Sequence, residues 1–397
     1  MNFVFVSPQF PRVYWNFCDR LKKKGVNVLG IGDTPYDQLA HEVRESLTEY
    51  YFVPSLADYD QMMRAVAFFT FKYGRIDWLE SNNEYWLESD AHLRTDFNIR
   101  TGWQSSDMEH IKNKSAMKPF YKKAGIPTAR LSKVTTLAAA EEFLAAVGYP
   151  VIVKPDTGVG ATDTYRIDNH DELCHFYASK PTVPYVMEEF VTGDICSYDA
   201  IVDADANPIF ESMTVWPPSV MDIVLYQLDL SYYTTDRVPD ALKKAGRATL
   251  KAFHVHSRFV HLEFFRLTKA KPGLGAVGDF VGLEVNMRPA GGYTPDMMNY
   301  AHSTDVYEIW ADMITENRRV LPDRSEHCYC AYASRRDFHR YVHTHEDILA
   351  RYAGKIVMCE RMPEMMWPQM GNQMYTAKLN GQEETDEFIR FVQEQQN

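Results

Sequence analysis

The chain has 397 residues, of which 45% are hydrophobic and 24% charged, the composition of a globular protein large enough for two or three domains. Its 42 basic and 54 acidic residues give a net charge of -12, which argues against nucleic acid or an anionic membrane as a partner. The six cysteines are scattered without a C-x-x-C pair, and we find neither a signal-peptide pattern nor a run of about 20 apolar residues, so a reduced, cytoplasmic protein is expected.

The first 105 residues alternate short apolar runs with helical segments. Strands are predicted at 3–6, 26–31, 51–53 and 76–79, with helices between them. Such βα alternation predicts a doubly wound parallel sheet, which binds ligands at the carboxyl ends of its strands. The expected binding edge therefore contains residues 7–11 and 80–83. No G-x-G-x-x-G motif occurs there, so a standard dinucleotide site is not expected.

A glycine loop follows a predicted strand in the next part of the chain. The strand at 151–154 delivers Lys154, and the loop contains Asp156, Gly158, Gly160 and Ala161. Backbone N–H groups of such a loop can bind phosphates, and the lysine can meet their charge. The loop lacks the G-K-[ST] of a Walker motif, and by itself an ordinary turn explains it equally well.

The strand predicted at 185–190 carries consecutive carboxylates, Glu188 and Glu189, followed by Phe190 and Val191. A segment of this kind can hydrogen-bond an adenine edge through its side chains and backbone. An ordinary edge strand is the alternative interpretation.

Two later strands bear acidic side chains on one face. Strand alternation puts Glu284 and Asn286 on the same side of a strand, with Arg288 two residues further on, and Glu263 lies on a second strand. Carboxylate and amide oxygens are the ligands that Mg²⁺ prefers, and an arginine can bind a phosphate in a bidentate manner. The alternative is a solvated surface strand.

The order of these motifs resembles the ATP-grasp superfamily. The resemblance covers roughly residues 107–320, and the L-E-V-N-M-R-P-A-G-G segment at 283–292 is its most specific part. Within the superfamily the chain looks most like the carboxylate–amine ligases and their carbamoyl-phosphate-synthase-like relatives. The N-terminal sheet also resembles the domain that precedes the grasp in those proteins.

The resemblance implies a role for each cationic and metal-binding position. Lys114 and Lys154 would bind the α- and β-phosphates of ATP. Glu263, Glu284 and Asn286 would bind Mg²⁺ or Mn²⁺. Arg288 would lie near the transferred phosphate as the catalytic arginine.

The remaining positions would surround the nucleotide. The lid over the phosphates would consist of Asp156, Gly158, Gly160 and Ala161. Glu188 would bind the adenine amino group, and the backbone of Glu189, Phe190 and Val191 would line the adenine edge. The chain departs from the family at Ile195, where many members have an acidic ribose ligand, and the neighbouring Asp194 is the expected substitute.

The expected architecture is an α/β and α+β ATP-grasp fold in four segments. An N-terminal doubly wound parallel sheet domain spans 1–105, a small grasp subdomain 106–185, a central grasp subdomain with the metal site 186–320, and an α+β extension 321–397.

The implied activity is an ATP-dependent ligation of a small-molecule carboxylate to an amine through an acylphosphate, with release of ADP and phosphate. One alternative is a carbamoyl-phosphate-synthase-like or biotin-carboxylase-like enzyme that phosphorylates bicarbonate or carbamate. Another is an ATP-binding sensor or scaffold without turnover. The resemblance also implies a homodimer, whereas the residues identify neither substrate.

Overall fold

Three β-sheets organise the part of the protein that the structure describes. We describe a computed structural model, which covers residues 1–158, 163–180, 182–217 and 228–396. The sheets have four, four and eight strands, and each corresponds to a different stretch of the chain. Across the described residues, no helix is long and apolar enough to cross a membrane.

The N-terminal sheet is parallel, with strand order β3-β2-β1-β4. After an initial asparagine, each of its two central strands is apolar, as expected for strands that helices cover on both faces. The strands are β1 (Asn2–Val6), β2 (Asn27–Gly32), β3 (Glu49–Phe52) and β4 (Trp78–Glu80). The helices are α1 (Trp15–Lys23), α2 (His41–Ser46), α3 (Tyr59–Tyr73) and α4 (Leu87–Asp96). This is the doubly wound sheet that the alternating pattern predicts.

A small antiparallel sheet follows, with strand order β5-β8-β6-β7. One of its faces packs on two helices, α7 and α8, through an apolar cluster. The strands are β5 (Leu131–Lys133), β6 (Val151–Pro155), β7 (Tyr165–Ile167) and β8 (Tyr185–Glu189). The helices of this region are α5 (Met108–Lys112), α6 (Lys114–Ala124), α7 (Leu137–Val147) and α8 (His170–Ser179).

The largest sheet is antiparallel, with strand order β13-β12-β9-β10-β11-β14-β16-β15. Its strands are β9 (Gly193–Val202), β10 (Pro208–Trp216), β11 (Ser231–Thr234), β12 (Arg258–Leu267), β13 (Phe280–Asn286), β14 (Tyr329–Arg335), β15 (Ile356–Arg361) and β16 (Gln373–Leu379). The helices are α9 (Asp240–Ala252), α10 (Thr294–His302), α11 (Val306–Glu316), α12 (His345–Arg351), α13 (Trp367–Met370) and α14 (Gln382–Gln393).

The two faces of the large sheet differ in chemistry because side chains alternate along each strand. One face is apolar and forms the main core with residues of α6, α9 and α14. The other face carries polar groups in neighbouring strands, including Asp199, His261 and Asn286, which are opposite one another in register. The polar face is the one that can bind a charged ligand.

The predicted segment boundaries differ from the observed sheets at two points. The boundary after residue 185 cuts β8, which belongs to the small sheet because it pairs with β5 and β6. Residues 321–397 form no separate layer, since β14 pairs with β11 and brings β16 and β15 into the large sheet. Both differences arise from pairings between strands that are far apart in sequence.

A buried ionic cluster joins the N-terminal domain to the large sheet. Glu80, at the end of β4, accepts hydrogen bonds from Arg94 at 2.9 Å and from Arg258 of β12 at 2.5 Å. Arg258 also donates to the carbonyl oxygen of Met287 at 2.8 Å. The two guanidinium groups hold the pKa of Glu80 below its ordinary value, although burial alone would raise it. The cluster fixes the N-terminal sheet beside the end of β13.

Candidate active site

Acidic oxygens from β12 and β13 form one side of the candidate site. Glu263 and Glu284 lie directly opposite each other in the antiparallel pair, and Asn286 is opposite His261. The amide nitrogen of Asn286 is 3.4 Å from a carboxylate oxygen of Glu263. Two like charges opposite each other on paired strands repel, so this arrangement favours a cation between them.

The pKa values of the two carboxylates shift in opposite directions. Burial raises the pKa of Glu284, and the charge of Glu263 raises it further, against the attraction of Lys114. Burial alone would also raise the pKa of Glu263, but the hydrogen bond and charge of His261, together with the charges of Arg288 and Lys154, lower it. Glu263 is therefore the more acidic member of the pair.

His261 lies between two carboxylates. Its Nδ1 is 2.6 Å from Asp199 of β9, and its Nε2 is 3.2 Å from Glu263. Burial alone would lower the pKa of His261, but Asp199 and Glu263 raise it to about 9. The hydroxyl of Ser197 donates to the second oxygen of Asp199. The imidazolium and these oxygens form one hydrogen-bonded row along the polar face.

Lysines from the small sheet and from α6 form the opposite side of the site. The ammonium group of Lys114 is 3.2 Å from Glu284 and donates to the carbonyl oxygen of Gly158 at 3.1 Å. Lys154 is 2.7 Å from one oxygen of Glu188, and Lys118 is 2.5 Å from the other. Lys114 thus contacts the acidic strands directly, and Lys154 and Lys118 share Glu188.

Glu188 binds these lysines with both oxygens. Burial alone would raise its pKa, but Lys154 and Lys118 lower it to about 2. Burial alone would lower the pKa of Lys154, and Glu188 with the acidic strands raises it instead. The resemblance implies that Glu188 binds the adenine amino group, but both of its carboxylate oxygens bind lysines here. Glu188 therefore orients the two ammonium groups.

Asp156 anchors the beginning of α6. Its carboxylate accepts hydrogen bonds from the backbone N–H of Ser115 at 2.8 Å and from the hydroxyl of Ser115 at 2.6 Å. Its carbonyl oxygen accepts from the N–H of Lys114 at 2.9 Å. Asp156 therefore caps the helix that carries Lys114 and connects the glycine loop to it.

Only part of the predicted glycine loop can be described. Gly158 has a φ of 134°, a conformation that glycine adopts readily and other residues rarely do. The other two predicted loop residues, Gly160 and Ala161, lie outside the described residues.

The predicted adenine segment connects the small sheet to the large one. Glu189 is buried and accepts hydrogen bonds from the backbone and side chain of Arg130, and Lys271 is 3.0 Å from it. Lys271 also donates to the carbonyl oxygen of Phe190 at 2.7 Å, and Val191 is buried in a small apolar cluster.

Asp194, the expected ribose ligand, lies on the opposite face of β9 from the candidate site. It is opposite Arg266 in the pairing of β9 with β12, whereas Ile195, Ser197 and Asp199 alternate onto the other face. The strand period of two therefore puts Asp194 on the side away from His261. Asp194 is therefore not part of the candidate site.

Arg288 connects the acidic strands to the N-terminal domain. It donates to the amide oxygen of Asn286 at 3.2 Å and is 3.5 Å from Glu84. Glu84, in turn, accepts a hydrogen bond from Lys112 at 2.9 Å. Glu84 directly follows residues 80–83, which belong to the predicted binding edge of the N-terminal sheet. Through its contact with Arg288, this edge lies beside the candidate site.

The residues present fit a hard divalent cation. In the described part of the chain, no three His, Cys, Asp or Glu side chains form a metal-binding group. The donor set is instead two carboxylates and the amide oxygen of Asn286, all hard oxygen ligands on adjacent strands. Mg²⁺ usually keeps several water ligands and takes substrate phosphate oxygens as others, so a small protein donor set is sufficient.

Sequence reasoning missed several residues of the site. Lys118 bonds to the predicted Glu188. Asp199 is linked through His261 to the predicted Glu263, and Ser197 donates to Asp199. A signal for Lys118 was present, because it lies four residues after Lys114 and so on the same helix face. Asp199 and Ser197 alternate along β9, but their partner on β12 is about 60 residues away and gives no local sign.

Comparison with known proteins agrees with the fold and the motifs. A family model described as the ATP-grasp domain matches residues 111–245. The L-arginine-specific L-amino acid ligase of Bacillus subtilis is 25% identical over 271 residues, which are 65% of this chain and 62% of that protein. The matched region thus spans less than two thirds of that relative.

Solved structures share the architecture over almost the whole chain. An L-amino acid ligase from Bacillus licheniformis has a TM-score of 0.72 at 15% identity and covers 98% of this chain and 96% of its own. An N5-carboxyaminoimidazole synthetase from Staphylococcus aureus, complexed with ADP, has a TM-score of 0.70 at 13% identity and covers 98% and 96%.

The match of residues 111–245 to the ATP-grasp domain agrees with the resemblance that the motifs indicated. The branch to which its relatives belong is that of the carboxylate–amine ligases. The predicted fold class, with a parallel N-terminal sheet before the grasp, is also confirmed.

Proposed function

We propose that the protein is an ATP- and Mg²⁺-dependent ligase that joins the carboxylate of one small molecule to the amine of another. The observation that carries this proposal is the meeting of two groups of side chains. Lys114 and Lys154 face Glu263 and Glu284 across the junction of the small and large sheets, with the nearest contact at 3.2 Å. This arrangement suits a polyphosphate with a bound divalent cation, because each side compensates charge on the other.

The proposed chemistry has two steps. A carboxylate oxygen of the acid attacks the γ-phosphorus of ATP, and the bond from that phosphorus to ADP breaks. The amine nitrogen then attacks the acyl carbon, the bond from that carbon to phosphate breaks, and the amine loses a proton. The products are an amide, ADP and phosphate. Mg²⁺, when bound, would neutralise negative charge on the phosphate oxygens.

Each residue of the site has a part in holding these reactants. Lys114 and Lys154 bind phosphate oxygens, and Glu188 orients Lys154 and Lys118. Glu263, Glu284 and Asn286 hold the cation. Arg288, between Asn286 and Glu84, stabilises charge on the transferred phosphate.

The remaining predicted residues surround the nucleotide. The backbone from Glu189 to Val191 contacts the adenine edge. Asp156, Gly158, Gly160 and Ala161 contribute the loop that closes over the phosphates and protects the acylphosphate from water.

The names of the relatives support amino acids as substrates. The two Bacillus proteins are L-amino acid ligases, and a free amino acid supplies both functional groups that the reaction needs. The proposed partners are therefore two amino acids, one as acid and one as amine.

Phosphate release from ATP and Mg²⁺ tests this function. The protein is incubated with single amino acids, with pairs of them, with other small carboxylates and with bicarbonate. Release that requires an acid together with an amine, accompanied by an amide product in mass spectrometry, is expected. Glu284→Ala should abolish it, whereas Glu142→Ala, an exposed residue of α7, should not.

Other outcomes would replace the proposal. Release with bicarbonate alone would indicate carboxyphosphate chemistry. ATP binding without release under any condition would indicate a sensor.

A further inference from the structure

A cavity of about 330 Å³ lies at the C-terminal end of α10. Its lining comes from the first half of β10, the loop before α9, α9 itself, the end of α10 and the connection between α11 and β14. None of the lining residues that the structure describes belongs to the candidate active site. The cavity is therefore a separate place at which a small ligand can bind.

Two histidines face each other in the lining of this cavity. His302 is the last residue of α10, and His327 lies in the connection that follows α11. Their Nδ1 atoms are 3.2 Å apart. Two nitrogen ligands of a tetrahedral Zn²⁺, each roughly 2.0–2.1 Å from the ion, lie about 3.3 Å from one another. The two rings thus have the spacing of two ligands of one metal ion.

The other nitrogen of His302 has a buried partner. Its Nε2 is 2.9 Å from the hydroxyl of Ser212 of β10. His302 is 6% exposed and Ser212 is fully buried. Histidines that bind metals usually donate their second N–H to a protein oxygen, which fixes the ring and the tautomer. With its proton on Nε2 and donated to Ser212, His302 presents the lone pair of Nδ1 to the cavity.

The backbone holds the second histidine beside the first. The N–H of Cys328, the residue after His327, donates to the carbonyl oxygen of Ala301, the residue before His302, at 2.8 Å. His327 is itself exposed, so its Nδ1 is open to an ion from solvent. The pair is positioned by the fold, and binding needs only a small adjustment of one exposed ring.

The charges of the cavity favour a metal ion over an anion. Burial, together with the charge of His327, lowers the pKa of His302 to about 4. Its ring is therefore neutral at neutral pH, the form that binds metals. The remaining ionic side chains of the lining balance one another, three against three: Glu211, Asp236 and Asp323, with Arg237, Lys243 and Arg319. No excess of positive charge selects an anion.

We propose that His302 and His327 bind one transition-metal ion such as Zn²⁺ or Ni²⁺, with water in the remaining coordination positions. Imidazole nitrogens select ions of this kind, whereas Mg²⁺ prefers oxygen ligands. Two protein ligands agree with the finding that, over the described residues, no three His, Cys, Asp or Glu side chains form a metal-binding group. The bound ion ties the connection between α11 and β14 to the end of α10, and it stabilises the folded chain by binding to it.

Isothermal titration calorimetry of the full chain with Zn²⁺ and with Ni²⁺ tests the proposal. Excess Mg²⁺ occupies the oxygen ligands of the candidate active site, and a phosphine reductant keeps the cysteines reduced. His327→Ala should raise the dissociation constant by about 100-fold or more, because a single remaining ligand no longer chelates the ion. The matched control is His41→Ala, which removes an exposed histidine at the start of α2 and should leave the dissociation constant unchanged.

Ser212→Ala tests the hydrogen bond behind His302. The variant keeps both ligands and removes only the group that fixes the ring, so the dissociation constant should rise by about 10-fold or more. Thermal unfolding gives an independent readout. Added Zn²⁺ should raise the melting temperature of the wild type and of His41→Ala, but not that of His327→Ala. Circular dichroism confirms that each variant is folded before it is compared.

The tautomer of His302 is a measurement that needs no variant. In ¹⁵N-resolved NMR spectra of the histidine rings, saturating Zn²⁺ should leave the proton of His302 on Nε2 and none on Nδ1. The Nδ1 signals of both His302 and His327 should shift as the metal is added.

Three results would overturn the proposal. Equal dissociation constants for the wild type and His327→Ala would show that the pair binds no metal. A loss of affinity in His41→Ala as large as that in His327→Ala would mean that the binding is not specific to this site. A proton that stays on Nδ1 of His302 at saturating Zn²⁺ would reduce the pair to an ordinary hydrogen bond between two rings.

Discussion

Among single residues, Asp296 of α10 has a carboxyl group that titrates near neutral pH. Burial raises its pKa to about 7, and repulsion from Asp305 and Glu360 contributes, against a hydrogen bond from Tyr307 at 3.1 Å. In the unfolded chain an aspartate has a pKa near 3.9. The folded protein therefore holds this proton more tightly than the unfolded one.

A pH-dependent loss of stability follows. The contribution of Asp296 is fully present below about pH 4 and is lost as the pH rises through about 7. Asp296→Asn removes the titration and keeps an oxygen that can accept from Tyr307. Between about pH 5 and about pH 8, the wild-type free energy of unfolding should fall relative to the variant by about 3 kcal/mol, at roughly 1.4 kcal/mol per pKa unit. Urea denaturation across this range measures the difference, and parallel curves would contradict the assignment.

The residues of the candidate site differ in how far the sequence reveals them. Glu284, Asn286 and Arg288 follow from strand alternation within one short segment, so their shared side was predictable. The contact of Asp199 with His261 depends on the register of β9 against β12, which no local pattern specifies. The position of Asp194 on the face away from His261 was unpredictable for the same reason. Which face of a strand turns toward the site is known only once the pairing of that strand is known.

Among the secondary-structure elements, α6 depends on a cap from outside its own segment. Asp156→Ala removes both hydrogen bonds that the carboxylate accepts from Ser115. The free energy of unfolding should fall by about 1 kcal/mol, as for other helix caps. Since Lys114 is the first residue of α6, the KM for ATP should rise several-fold.

A second helix of the same subdomain gives the matched control. Asn169 caps α8 by accepting a hydrogen bond from the N–H of Glu172 at 3.0 Å. Asn169→Ala should cost about the same stability and leave the KM for ATP unchanged. Urea denaturation and steady-state kinetics separate the two effects, and an equal change in KM for both variants would refute a specific role for Asp156.

The elements themselves were predictable to different degrees. The N-terminal strands are continuous apolar runs separated by helices, and this pattern indicates both their type and their parallel pairing. The strands after residue 321 are assigned with difficulty because β14 pairs with β11, which lies about 100 residues earlier. The pattern of β14 therefore reflects a neighbour that the local sequence does not contain.

In the molecule as a whole, the Glu80 cluster holds the N-terminal domain on the large sheet. Glu80→Gln removes the charge that balances Arg94 and Arg258, both of which are buried. Leaving buried charges without their partner typically costs about 3 kcal/mol or more, so the free energy of unfolding should fall by that amount. Equilibrium denaturation measures this loss.

An exposed ion pair is the control for Glu80. Glu387 pairs with Arg351 on the surface, where both side chains are close to half exposed. Glu387→Gln should change the stability by less than about 1 kcal/mol because solvent screens the pair. Equal effects of the two substitutions would mean that the buried cluster contributes no more than a surface pair.

The order of strands in the large sheet has a consequence for protein synthesis. As the chain leaves the ribosome, the N-terminal and small sheets are complete by Glu189, and β11 has emerged by Thr234. One neighbour of β11 is β10, but the other is Tyr329–Arg335, so the second backbone edge of β11 stays unpaired while the intervening segment is translated. The large sheet is therefore completed late in synthesis. Until then the nascent chain carries an exposed strand edge, a kind of surface that aggregates or recruits a chaperone.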